Sequence, residues 1–292
     1  MKKYLAKILI YNFVTAFLIF LYLPLVFAKT DSITIFCGAA NKPAMEEIAR
    51  EFESREKIKT HMIFGGSGTL LSQIQLSKKG DIYIPGSPDY IIKGERQKLL
   101  IEDSDSIVAY LIPAIVTPAG NPANVKSLED LARPGLRVGI ANPETVAVGL
   151  YAVEIFEKNN LLRPILKNVV TFGANVSKTA NLALLRQVDA ILGWRVLHYW
   201  NPARMDTVLL PPEKIPRISY ISISIPVYTK DIDVSKMFID FVLSPYGRGV
   251  YEKYGYITSL EKAKEFSSNG SIGGEYRLPK EYYDAVKEIM GK

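Results

Sequence analysis

The residues best placed to do chemistry cluster in one turn, Phe64-Gly65-Gly66-Ser67-Gly68-Thr69-Leu70. A strand-like run, Lys59 to Ile63, precedes it, and a helix-like run, Thr69 to Leu76, follows. A glycine-rich turn at a helix start exposes unpaired N–H groups at the positive end of the dipole, a ready place for an anion. The same residues nearly fit the G-x-S-x-G elbow of serine hydrolases, with Thr69 in place of the last glycine. A nucleophilic Ser67 needs a base, and the chain has two histidines, His61 and His198. His61 lies in the strand before the turn with no acid beside it, and His198 sits in the aromatic run Leu197-His198-Tyr199-Trp200. Both read as surface or packing residues. No His, Cys or carboxylate spacing suits a bare metal cation, and no cofactor is called for. Asp81 and Glu144 read as structural or capping residues. The lone cysteine, Cys37, lies in an apolar run and is expected as a buried small hydrophobe without a disulfide.

Three other turns share the composition of the Ser67 turn. They are Gly38-Ala39-Ala40-Asn41 before a helix at Pro43, Asn142 to Gly149, and Gly173-Ala174-Asn175-Val176-Ser177 before a helix at Lys178. Each alone is an ordinary strand-to-helix turn. Together they lie at the C-terminal ends of strands expected to be parallel, where α/β sheets bind ligands. The supporting pattern alternates strand and helix: Ser32–Phe36, Pro43–Phe52, Lys59–Ile63, Thr69–Leu76, Asp81–Ile84, Pro88–Gln97, and again from Arg137 to Gly193. Two long β-prone runs, Ile107–Thr117 and Ile218–Thr229, each carry a proline, Pro113 and Pro226. They read as crossings between two lobes. The outer lobe is expected from 29–116 and 220–292, built from both ends of the chain, and the middle lobe from 117–219. The last helix, Pro279 to Met290, is expected on the outer lobe. Two of the four turns fall in each lobe, so one anion held between lobes is the simplest common purpose.

The chain has 292 residues, 48% apolar and 23% charged, an ordinary globular balance with room for a sizeable core. Residues 1–28 stand apart. Lys2, Lys3 and Lys7 precede an almost wholly apolar run, Ile8 to Phe27, that ends Val26-Phe27-Ala28. This is the form of a signal peptide cleaved after Ala28, with an uncleaved membrane anchor as the alternative. The rest of the chain is then expected in the periplasm or outside the cell. Those three lysines supply half of the net charge of +6, and no basic block of nucleic-acid type follows. Asn175-Val176-Ser177 and Asn269-Gly270-Ser271 match glycosylation sequons, which are common by chance and carry no weight.

In these turns and their order the chain resembles the molybdate/tungstate-type periplasmic substrate-binding proteins, the oxyanion receptors of ABC importers. The likeness spans about residues 33 to 257. Its matching stretches are Ile33 to Ala40 with Ala44-Met45 and Ile48, Phe64 to Leu70, Ser127 to Gly135, Pro143-Glu144 through Gly149-Leu150-Tyr151-Ala152, and Phe238-Ile239-Asp240-Phe241 through Tyr256. The resemblance implies an α/β, two-lobed type II periplasmic-binding-protein fold, each lobe a mainly parallel sheet flanked by helices, with two crossing strands as hinge. It implies a monomeric binding protein, not an enzyme, that captures molybdate or tungstate in the interlobe cleft and delivers it to an ABC permease. The metal enters only as its oxyanion.

The family holds a tetrahedral dianion with neutral donors. Carried over, Ser67 matches a ligand serine, and Val148 and Val176 match backbone-amide donors. Ala39, Ala40, Asn41, Gly66 and Gly68 complete the two N-terminal turns. Ala40 stands where the family usually has serine, and Trp194 where it usually has tyrosine. The N–H groups of Ala40 and Asn41 remain, and an indole N–H is also a donor. These two positions leave the anion open. Sulfate, phosphate or a small organic acid on the same fold is one alternative, and a hydrolase using Ser67 is another. With Trp194 facing the cleft, strand alternation turns Arg195 away; with Arg195 inward, the ligand would be a carboxylate or phosphate. The first arrangement is the expectation.

Overall fold

The computed structural model describes residues 30–267 and 269–291. The expected signal peptide, residues 1–28, lies outside them. Among the described residues no helix is long and apolar enough to cross a membrane.

Three parallel strands begin the fold. β1 (Ser32–Gly38) lies between β2 (Lys59–Gly65) and β3 (Ile82–Ile84). The linking helices are α1 (Lys42–Glu56) and α2 (Ser67–Ser77), and α3 (Asp89–Arg96) follows β3. Ala44, Met45, Ile48, Ala49 and Phe52 recur at helical spacing and bury one face of α1. Pro43 sits in its first turn, where a missing N–H leaves nothing unpaired, and Lys57 ends it in the left-handed conformation at φ 59°. Register then fixes the site. Gly38 lies opposite Gly65, and Cys37 lies opposite both Phe64 and Ile84. The three strands end level, so the turns that follow them emerge side by side.

The run from Ile107 to Thr117 is continuous in sequence but forms two strands, β4 (Ser106–Leu111) and β5 (Pro113–Pro118). They part at Ile112, just before a proline that has no N–H for a ladder. β5 joins a second sheet with β6 (Val138–Ala141), β7 (Val169–Gly173), β8 (Ala190–Trp194) and β9 (Met205–Leu209), in the order β7-β6-β8-β5-β9. β6 pairs parallel with β7 and β8, whereas β5 is antiparallel to β8 and β9. The helices of this lobe are α4 (Ala147–Lys158), α5 (Leu162–Leu166), α6 (Val176–Leu184) and the short α7 (Leu197–Trp200). The chain returns through β10 (Arg217–Ile223), antiparallel to β4.

α8 (Ile232–Leu243) and α9 (Pro245–Lys253) then pack on α1, with the Phe52 and Phe238 rings edge to face at 4.9 Å. α10 (Leu260–Lys264), β11 (Ser271–Ile272) and α11 (Lys280–Met290) close the chain. α11 does not pack on the outer lobe as expected. It lies against α5 of the middle lobe, where Tyr282 and Ala285 join Leu162, Ile165 and Leu166, and Arg163 reaches both Glu281 and Glu288. Its amphipathic pattern fixes which face is buried but not the surface it meets. The outcome is a two-lobed α/β fold. One apolar cluster continues from β1–β3 across the cleft to Val146, Val148, Val176 and Trp194.

Candidate functional site

The first turn is buried whole. Ala39, Ala40 and Asn41 form a single 3-10 turn between β1 and α1. Its carbonyls are held from behind: the Asn41 amide Nδ2 donates to the Gly38 carbonyl at 3.2 Å, and the Tyr256 hydroxyl donates to the Ala40 carbonyl. In a trans peptide the carbonyl and the following N–H point opposite ways. Tying down the Gly38 carbonyl therefore aims the Ala39 N–H the other way, while the Asn41 N–H belongs to the 3-10 turn itself. Gly38 is needed because a Cβ there would meet the Ile84 carbonyl at 3.1 Å and the Gly86 nitrogen at 3.2 Å.

Ser67 opens α2 and is 3% exposed. Its carbonyl accepts from the Tyr83 hydroxyl at 2.8 Å, and its Oγ accepts from the Gly86 N–H at 3.0 Å. The hydroxyl proton is thus left to donate elsewhere. Gly86, at the end of β3, completes the outer half. A Cβ built on it would stand 3.5 Å from the Ala147 Cβ, 3.8 Å from the Ser67 Oγ and 3.9 Å from the Ala40 Cβ. Residues from the ends of β1, β2, β3 and β6 therefore converge on one point. Neither histidine takes part: His61 is exposed on β2, and the His198 ring is paired to the Met205 carbonyl.

Gly66 and Gly68 also serve the contact between the lobes. The Gly68 N–H donates to the Thr145 carbonyl at 2.9 Å, across to the middle lobe. A Cβ on Gly66 would lie 2.8 Å from that carbonyl oxygen, and one on Gly68 would lie 3.1 Å from the Thr145 Cα. These glycines let the lobes touch main chain to main chain, and the Gly68 amide is not free for a ligand.

The middle half is made of helix starts. α4 begins at Ala147-Val148 and α6 at Val176-Ser177, and among the described residues no acceptor is paired with these four amides. Asn175 caps α6 by accepting from the Lys178 N–H at 2.9 Å. Gly149 brings α4 against the end of β6, since a Cβ there would fall 2.2 Å from the Ala141 carbonyl oxygen. Trp194, the last residue of β8, is fully buried and its indole Nε1 has no partner. Its ring meets Tyr151 edge to face at 5.4 Å, and the Tyr151 hydroxyl is likewise buried and unpartnered.

Charge is kept out of this lining. Arg195 turns to the Tyr199 hydroxyl and the Gly255 carbonyl, at 2.8 and 2.6 Å. Arg217 is buried behind Tyr151, its guanidinium 4.2 Å from the ring, and pairs with both Asp89 and Glu154. Two carboxylates offset its charge, as burial requires. Burial raises the Glu154 pKa from its ordinary value, with Arg217 opposing the shift. Asp81 is structural: it accepts from the Thr34 and Lys230 N–H groups. Cys37 is wholly buried, which pushes its thiol pKa well up. No group of three or more His, Cys, Asp or Glu among the described residues is placed to hold a metal ion.

The structure thus brings Ala40 and Ser67 together from the expected set. It places Ala39 and Asn41 in the same turn, sets Val148 and Val176 at helix starts, and buries Trp194. Gly86, Ala147 and Tyr151 were missed. Pro85-Gly86 ends a parallel strand as the other turns do, which was a usable signal. Tyr151 lies one helical turn beyond Ala147 and Val148, so helical spacing puts it on their face.

Known proteins agree with this architecture. The molybdate-binding protein ModA of Mycobacterium bovis is 23% identical over 227 residues, 77% of this chain and 84% of the relative. The periplasmic molybdate-binding protein of Azotobacter vinelandii superposes with a TM-score of 0.70 at 15% identity, covering 78% of this chain and 99% of that one. The sulfate-binding protein SubI of Mycobacterium tuberculosis superposes with a TM-score of 0.70 at 14% identity, covering 83% and 93%. Residues 33–257 match the model of the bacterial extracellular solute-binding protein family, and the chain belongs to that family.

Proposed function

We propose that this solute-binding protein captures a tetrahedral oxyanion, molybdate or tungstate, between its lobes and passes it as a monomer to an ABC permease. One observation carries the reading. Ser67, with its Oγ already accepting from Gly86, converges with Ala40 and Ala147 beside helix starts whose amides are unpaired. A fully deprotonated oxyanion needs donors on every side and no acceptor facing it, and hydrogen bonds to an ion are about twice as strong as neutral ones. The amides and dipoles of α4 and α6 supply the offsetting field. Phosphate at neutral pH still carries a proton and would need an acceptor, so a donor-only lining disfavours it. A carboxylate ligand would draw on a free guanidinium, and both Arg195 and Arg217 are already engaged. Sulfate is the second reading, supported by the fold shared with a sulfate-binding protein.

Thermal-shift measurements with molybdate, tungstate, sulfate and phosphate at equal concentration test this. Molybdate and tungstate should raise Tm most, by the mass-action stabilisation of the bound form. No shift with either metal oxyanion overturns the reading, and a shift with sulfate alone replaces it with the second.

A further inference from the structure

Two buried side-chain donors of the middle lobe, the Trp194 indole and the Tyr151 phenol, have no partner within the protein, and the phenol is the one the family's donor set does not include. The Tyr151 hydroxyl has no solvent and no hydrogen-bond partner. A buried polar group in that condition calls for an explanation, because its lost hydration is not replaced. Its direction follows from the helix. Side chains on an α-helix lean toward the N-terminus, and Tyr151 stands three and four residues after Val148 and Ala147. The ring therefore runs along the face of α4 that ends at the unpaired amides. The hydroxyl lies beside Ser219, whose Oγ donates to the Gly86 carbonyl at 3.0 Å. Gly86 is the residue on which Ala40, Ser67 and Ala147 converge.

The ring is also clamped. Trp194 meets it at an interplanar angle of 64°, and the Arg217 guanidinium lies over it, held by Asp89 and Glu154. Moving the ring would give up both the stacking on Arg217 and the contact with Trp194. Burial holds the phenol pKa well above its ordinary value, so the hydroxyl stays protonated and can donate at neutral pH.

We propose that Tyr151 is a ligand-binding residue of this cleft, donating its hydroxyl to one oxygen of the bound oxyanion. The inference rests on the proposed function and deepens it. A donor fixed on the middle lobe, opposite Ser67 on the outer lobe, works as a gauge of size. Only an anion wide enough to reach both gains from both. Sulfate is smaller than molybdate or tungstate, so Tyr151 should favour the metal oxyanions over sulfate.

The test is titration calorimetry of the protein and its Tyr151→Phe variant with sodium molybdate, sodium tungstate and sodium sulfate. Phenylalanine keeps the packing on Trp194 and Arg217, so the ligand-free melting temperature should stay close to that of the unsubstituted protein. Molybdate and tungstate binding should weaken about tenfold or more, and sulfate binding less, so that discrimination narrows. Equal molybdate binding by both proteins overturns the inference while leaving the proposed function intact. Failure of the unsubstituted protein to bind any of the three overturns both. A crystal structure of the tungstate complex gives a readout independent of the variant. The Tyr151 oxygen within about 3.2 Å of a tungstate oxygen supports the inference, and a protein group or water between them overturns it.

Discussion

The two halves of the cleft are built on opposite plans. On the outer lobe, polar groups are mostly satisfied within the protein: Ser67 accepts from Gly86, Gly86 accepts from Ser219, and the carbonyls of Ser67 and Ala40 accept from Tyr83 and Tyr256. On the middle lobe the donors are left over: four helix-start amides, an indole N–H and a phenol. The outer half is a rigid template that sets where an anion sits. The middle half holds most of the unmet demand for acceptors, and the Ser67 amide at the start of α2 adds to it from the outer half. A site assembled this way draws its affinity mainly from the half that is worse off without a ligand.

Substitutions should separate the two plans. The largest effect is expected from Gly149→Ala. Its new Cβ meets the Ala141 carbonyl 2.2 Å away, so α4 must lift from β6. Stability should fall by about 3 kcal/mol, read by denaturant unfolding, because packed backbone cannot yield cheaply. Gly86→Ala is the counterpart on the outer half. Its nearest neighbour would be the Ala147 Cβ at 3.5 Å, an ordinary contact. Unfolding should scarcely change, while molybdate affinity drops by about 2 kcal/mol or more as the methyl occupies the point of convergence. If both variants lost stability alike, the contrast between template and demand would be wrong.

Ser67→Ala removes the hydroxyl beside the point of convergence and should weaken binding by about 1.5–3 kcal/mol in calorimetry. Val176→Pro deletes a single amide of the middle half. Proline suits the first position of a helix, and Asn175 before it is already extended at φ −163° and ψ 174°. Helix content by circular dichroism should hold while affinity falls by about 1–2 kcal/mol. The smallest effect concerns pH. Glu154 has a folded pKa above its ordinary 4.5, so the native state holds that proton more tightly than the unfolded chain does. Its contribution is most favourable below the unfolded value and declines as pH rises through the folded one. Glu154→Gln should flatten this fall in thermal melts across mildly acidic pH, a change of about 1 kcal/mol or less.

Much of this was legible in the chain. Glycine-bearing turns after β-prone runs marked the strand ends, and the level endings of β1, β2 and β3 follow from parallel pairing. Proline within a β-run marked a change of sheet at Ile112. What stayed hidden depends on contacts distant in sequence. β9 is a short run between Asn201-Pro202 and Pro211-Pro212, and it is a strand because β5 pairs with it. Gly68 looked like a ligand donor because composition cannot show that Thr145 would take its amide. The burial of Arg217 was unreadable for the same reason: its partners stand 128 and 63 residues away.

The Gly68–Thr145 bond bears on populations as well as on geometry. It joins the lobes through main chain alone. In a protein that closes over its ligand, the apparent affinity is the intrinsic one scaled by the share of molecules already closed. A ligand-independent contact of this kind raises that share, so less of the ion's binding energy goes into drawing the lobes together. In the proposed binding cycle the same contact would have to break before an ion enters or leaves.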